Sequence, residues 1–168
     1  FPTVQTLAEA PLDKVLAAWT GLGYYARARN LHKTANLIVN GKQAVWPQTR
    51  EQWQQLPGVG PSTAGAIISQ VLDRREPILD GNVKRVIARA FMIKSPVDQA
   101  LDEFWAWSER ITPKNRAADF TQAIMDLGAT VCTRSKPRCF ECPLQQHCKA
   151  YAHQVVSEYP VKRKTKIK

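Results

Sequence analysis

Helical spacing of apolar residues restricts this chain more than any other feature. Val83, Val86, Ile87 and Ala90 fall at i, i+3, i+4 and i+7, which is one face of a buried helix. Tyr25 to Asn40 reads the same way, with Leu31, Ala35 and Ile38 at core spacing and Gly41 as its stop. Ahead of it, Thr6 can cap a turn through Leu7 and Ala10. Asp13 starts a second turn carrying Val15, Leu16 and Trp19, and Gly21-Leu22-Gly23 breaks it. Thr49 and Gln52 stand in capping-box spacing before Trp53 and Leu56. Further helices are predicted from about Ser62 to Leu72, Val97 to Ile111 and Asn115 to Ala129. No segment alternates with the period of a strand, and no repeat is visible. The expected class is all-α.

The polar break Asp73-Arg74-Arg75-Glu76-Pro77 is the expected crossover between two helical modules. It divides the chain into residues 1–74, 75–154 and a basic tail, 155–168. The 168 residues are enough to bury a sizeable core. No apolar run is long enough to cross a membrane, so no membrane partner is expected. With 24 Lys and Arg against 14 Asp and Glu, the formal net charge is +10, which favours a polyanionic partner such as nucleic acid. Five of those cations lie in the last seven residues, Lys162 to Lys168, so the tail carries much of the excess. The first residue is Phe1 and no signal-peptide pattern follows it, so the chain reads as a piece of something longer.

Leu56 to Asp80 places a Gly-x-Gly turn, a small-residue helix and an isolated acid in one short span. Gly58 and Gly60 are free to take positive φ, and Pro61 suits the first turn of a helix. Leu56, Gly58, Val59 and Gly60 can therefore turn backbone N–H groups outward at a helix N-terminus, which makes an anion site. A plain helix–helix turn has the same composition. Asp80 stands just before a helix beginning near Asn82, where it is either a cap or a carboxylate presented for chemistry.

Cys132, Cys139, Cys142 and Cys148 are the only cysteines, spaced C-x6-C-x2-C-x5-C. Four thiols so close together suggest a metal centre. Two disulfides would suit a small secreted scaffold better than a basic helical chain. Tetrahedral zinc usually draws on two CxxC-like pairs, and only Cys139 and Cys142 have that spacing; a cubane cluster needs four thiolates wrapped by a compact loop. The loop between the first two cysteines carries Arg134, Lys136 and Arg138, a basic surface held at both ends.

LPGVG at Leu56 to Gly60, the acid of PILDGNVKRV at Asp80 and the cysteine quartet together resemble the helix-hairpin-helix, iron–sulfur DNA glycosylases. WTGLGYYARARNLHK (Trp19 to Lys33) and MDLGATVCTRSKPRC further resemble the adenine-specific, MutY-type branch. The resemblance implies a [4Fe–4S] cluster on the four cysteines, which would lower the effective charge to about +8. It implies a monomer that acts on double-stranded DNA containing an adenine mispair, in the bacterial cytoplasm with the nucleoid, or in a nucleus or mitochondrion. The DNA would lie across the two modules, with the active site in the cleft between them.

In that family the residue matching Asp80 stabilises the positive charge left on the sugar, and Asn82 could assist it or serve as the helix cap. Ser62 stands where the strand-cleaving relatives carry a lysine. A hydroxyl cannot form a Schiff base, so the resemblance implies hydrolysis without strand cleavage. Tyr24 matches the residue that inserts beside the lesion, with Arg27 next to it, while Tyr25 is expected to pack in the core. The family's general-acid glutamate lies upstream of the position of Phe1, and Glu9, Asp13 and Glu51 do not match it. The expectation is therefore that this stretch alone binds DNA and excises adenine poorly.

Overall fold

The computed structural model describes residues 1–41 and 46–163. It is helical throughout, and the described residues contain no β-strand. Its backbone divides into two compact units, Phe1–Ala64 and Gly65–Lys168. The division falls inside a helix, not at the polar break Asp73–Pro77, which lies within the second unit. Residues 164–168 of the basic tail lie outside the described residues.

In the first unit α1 (Val4–Glu9) and α2 (Leu12–Ala18) pack against α3 (Tyr25–Asn40). Thr3, not Thr6, caps α1; Thr6 is the reciprocal partner three residues on, the two forming a capping box. The buried residues of α3 are Ala28, Ala35 and Ile38, and the two alanines leave room for close packing. Leu31, expected in that core, is 46% exposed. A second capping box, Thr49 with Gln52, starts α4 (Arg50–Gln54) as its spacing requires, and buries Trp53. α5 (Pro61–Leu72) follows the glycine turn with Pro61 in its first position.

The second unit is organised around α6 (Gly81–Phe91). Helices α7 (Leu101–Ile111) and α8 (Ala117–Asp126), a π-helical turn (Leu127–Val131) and the short α9 (Lys149–Ala152) all pack on it. Val83, Val86, Ile87 and Ala90 form the buried face that their spacing predicts, joined by Ile78, Phe104 and Ile124. Starts and ends differ from the periodic reading where the backbone chemistry intervenes. α7 begins at Leu101, because Gln99 and Ala100 N–H groups turn back onto the Pro96 carbonyl. α8 begins at Ala117, because Arg116 takes a left-handed φ of 57°.

The polar break is tied down within this unit. Asp73 accepts from the Ala118 N–H at 2.9 Å, satisfying one of the donors left open at the start of α8. Arg75 donates to the Thr112 carbonyl at 2.9 Å and pairs with Glu109 on α7.

After Asp126 the backbone widens into the π-helical turn, closed by the Cys132 N–H on the Leu127 carbonyl at 2.7 Å. Gly128 is the reason the turn can lie so close to α6. A Cβ there would stand 2.6 Å from Asn82 Cβ and 3.0 Å from the Asn82 Cα and carbonyl oxygen. Because two of those contacts are backbone, Gly128→Ala should cost about 1–3 kcal/mol of unfolding free energy by overpacking. Urea titration checks this; a change within about 0.5 kcal/mol, ordinary for a surface site, would show that the turn moves away freely.

Candidate nucleic-acid interface and thiol centre

In the first unit the turn after α4 has Gly58 at φ 77°, whereas Gly60 keeps a negative φ, so one glycine and not two uses the left-handed region. The Val59 N–H closes the turn on the Leu56 carbonyl at 3.2 Å, and the Ala64 N–H starts α5 on the Gly60 carbonyl at 2.9 Å. The N–H groups of Gly58 and Gly60 donate to nothing among the described residues, and both glycines are exposed. Asn30 of α3 packs beneath, so close that a Cβ on Gly58 would sit 2.5 Å from its side-chain nitrogen. The turn therefore presents free donors beside the positive end of a twelve-residue helix. Ser62, in the second position of that helix, is half-buried.

A second exposed feature of this unit is Tyr24, 81% accessible and itself in a left-handed conformation at φ 47°. The loop before it is fixed by the Trp19 indole N–H on the Gly23 carbonyl at 2.9 Å. The Arg27 guanidinium lies 5.6 Å from the Tyr24 ring centroid, a cation–π distance. Tyr25, expected in the core, is 41% exposed. Two aromatic rings and a cation thus face outward from one helix start.

In the second unit Asp80 is the N-cap of α6: its Oδ1 accepts from the Val83 N–H at 2.8 Å. The other carboxylate oxygen takes no partner among the described residues, and the side chain is half-buried. Capping and presentation are therefore compatible, one oxygen for each. Asn82 is neither the cap nor a partner of Asp80. Its Oδ1 accepts from Arg85 Nη2 at 2.7 Å, and the same guanidinium donates to the carbonyls of Gly128 and Cys132, each at 2.6 Å.

The four cysteines stand as half-buried free thiols around one small cavity of about 30 Å3, shared with Arg89, Tyr151 and Val156. Among the described residues no three Cys, His, Asp or Glu side chains converge on a common point close enough to ligate a single ion. The loop between Cys132 and Cys139 is pinned at its end by the Arg138 N–H on the Val131 carbonyl at 2.9 Å. Arg134 and Lys136 are exposed on it, while Arg138 is already engaged with Glu141 at 2.8 Å and with the Thr130 carbonyl at 3.1 Å. Beside this loop runs a groove of about 1220 Å3 with Lys84, Arg85, Arg134 and Lys162 in its lining and no carboxylate among the described residues.

Two residues of this region escape a periodicity reading. Arg85 and Arg89 look like ordinary cations of a helix, yet both are bound to backbone of the cysteine loop. The available signal was Arg89 itself, a charge set between Ala88 and Ala90 in an otherwise apolar stretch.

Burial pushes the Cys139 thiol above its ordinary value of 9.0, and the neighbouring Cys132, Cys148 and Cys142 push it further, against the opposing charge of Arg89. Burial likewise raises Cys142. A raised thiol stabilises the fold while protonated and loses that contribution as pH rises through its folded value. The thermal midpoint of the reduced, metal-free chain should therefore fall as pH is raised above 9.0. Cys139→Ser should flatten the profile, and a profile left unchanged by the substitution would mean that the Cys139 thiol is not raised in the folded chain.

The comparisons with known proteins bear on the family and the fold. Residues 1–110 match the sequence profile of the HhH-GPD superfamily base excision DNA repair proteins. An adenine DNA glycosylase of Buchnera aphidicola subsp. Schizaphis graminum is 44% identical over 99% of this chain and 49% of its own length. A human adenine DNA glycosylase is 42% identical over 89% of this chain and 28% of its own. The chain thus spans half or less of these relatives. A thermostable thymine-DNA glycosylase superposes with a TM-score of 0.77 at 25% identity, covering 91% of this chain and 71% of that one. The endonuclease III of a non-covalent DNA complex shares the fold with a TM-score of 0.75 at 24% identity. With a profile match over most of its length, the chain belongs to the HhH-GPD superfamily of base excision DNA repair proteins.

Proposed function

We infer that the protein carrying this chain is a monofunctional DNA glycosylase that hydrolyses the N-glycosidic bond of adenine mispaired with 8-oxoguanine or guanine. The observation that carries the reading is Asp80, a carboxylate with one oxygen spent on the cap of α6 and the other without a partner among the described residues. Breaking the bond to adenine leaves positive charge on the sugar, and a fixed carboxylate stabilises charge of that sign where it develops. The specificity for adenine is supported by the 44% and 42% identical relatives that bear that name. The target base must leave the duplex stack to be reached. Tyr24, exposed beside Arg27, suits insertion into the gap.

Duplex DNA is the substrate the surface favours. The free N–H groups of Gly58 and Gly60, with Leu56 and Val59 completing their turn, form a phosphate site that reads no sequence. Arg134 and Lys136 and the carboxylate-free groove beside them supply diffuse positive charge, while Arg138 shapes the loop. Ser62 offers a hydroxyl and no amine at the start of α5, so no Schiff base forms there and the strand stays intact. Such an enzyme acts as a monomer, in the compartment that holds the genome.

Cys132, Cys139, Cys142 and Cys148 would hold a [4Fe–4S] cluster. The donor set fits: four free thiols, none of them in a disulfide, line one cavity. Bound there, the cluster would fix the shape of the basic loop between the first two cysteines.

Asp80→Asn keeps an oxygen able to cap α6 while removing the charge. In the whole protein that carries this chain it should reduce adenine release from a duplex by about 100-fold or more, the usual scale for losing an electrostatic stabiliser, with DNA affinity nearly unchanged. Single-turnover release and a gel-shift titration decide it. Equal release by both proteins, or efficient strand cleavage that depends on Lys84, would contradict the proposal.

A further inference from the structure

Arg89 is 2% exposed, and among the described residues no carboxylate pairs with it. Its guanidinium is spent on backbone from two separate segments. Nε donates to the carbonyls of Val156 at 3.2 Å and Tyr159 at 3.0 Å, in the last described stretch of the chain. Nη1 donates to the Thr133 carbonyl at 2.8 Å, the Cys132 carbonyl at 3.4 Å and Cys132 Sγ at 3.2 Å; Nη2 reaches the Arg134 carbonyl at 3.2 Å. Both segments border the thiol cavity, which Val156 and Cys132 line together with Arg89.

We propose that Arg89 is a positioning residue that closes the thiol centre. It fixes the first ligand, Cys132, and straps residues 156–159 across the cavity, so that a bound metal group is retained through this one side chain. The inference rests on the reading of the four cysteines as metal ligands. Only arginine carries enough donors, in a planar fork, to reach both segments at once; lysine has three donors on one atom and cannot span them.

The test compares the purified metal-loaded protein with Arg89→Lys and Arg89→Gln. Three quantities are read: metal and acid-labile sulfide per chain, the rate of metal loss to a chelator, and amide hydrogen exchange over residues 155–160. Far-UV circular dichroism confirms the fold. Outer-shell partners of metal ligands typically contribute about 10- to 100-fold in metal affinity. Both variants should lose metal faster by a factor of that order, and both should exchange faster in the strap. Arg89→Lys is the variant to rely on, since it keeps a cation and the helix.

Wild-type rates of metal loss and strap exchange in Arg89→Lys would overturn the proposal, because charge alone would then suffice. Faster metal loss with unchanged exchange would overturn the strap. If the wild-type protein holds zinc without sulfide, the iron–sulfur reading fails, and the chelator comparison still decides for or against Arg89.

Discussion

The bond from the Val83 N–H to the Asp80 carboxylate fixes where α6 begins, and the second unit follows from that start. A helix begun at Gly81 sets Val83, Val86, Ile87 and Ala90 on one face, against the core. It sets Asn82, Arg85 and Arg89, at i, i+3 and i+7, on another, against the cysteine-bearing backbone. Beginning one residue later would rotate both faces by about 100° and point the arginines away from the loop they hold. The cap is therefore structural and, through its second oxygen, available to chemistry.

The polar stripe of α6 explains why the chain can give up regular helix around the cysteines. Residues 132–148 contain no helical run longer than three residues, and the carbonyls of Cys132, Thr133 and Arg134 lie outside any of those runs. Arg85 and Arg89 supply the missing donors from a rigid helix: Arg85 to Gly128 and Cys132, Arg89 to Cys132, Thr133 and Arg134. Guanidinium groups suit this work, since each offers several donors in fixed directions. Gly128 lets the π-helical turn come within reach of the first of them.

How much of this was legible in the sequence depends on whether a local rule decided the matter. The bounds of Tyr25–Asn40 and the capping box at Thr49 follow from spacing and cap chemistry alone, and the structure repeats them. So does the buried face of α6. Leu31 was misplaced because periodicity gives direction on a helix but not whether a neighbour comes to cover it. Gly60 was overread: its composition permits positive φ, but Gly58 alone suffices to reverse the chain. The cap at Asp80 is legible, because an acid before an apolar helix is a local signal. The contacts of Asn82, Arg85 and Arg89 were not, since their partners lie more than forty residues away for all but one bond, and no spacing rule connects them.

The central claim is that Asp80 stabilises positive charge on the sugar rather than merely starting a helix. The most direct measurement is the affinity of the protein for duplexes carrying, in place of the target nucleoside, either a cationic pyrrolidine or its neutral tetrahydrofuran counterpart. The account predicts tighter binding of the cationic ring by about 100-fold or more, on the low side for a transition-state mimic, and loss of that preference in Asp80→Asn. Equal affinity for the two rings, or a preference that survives the substitution, would contradict it.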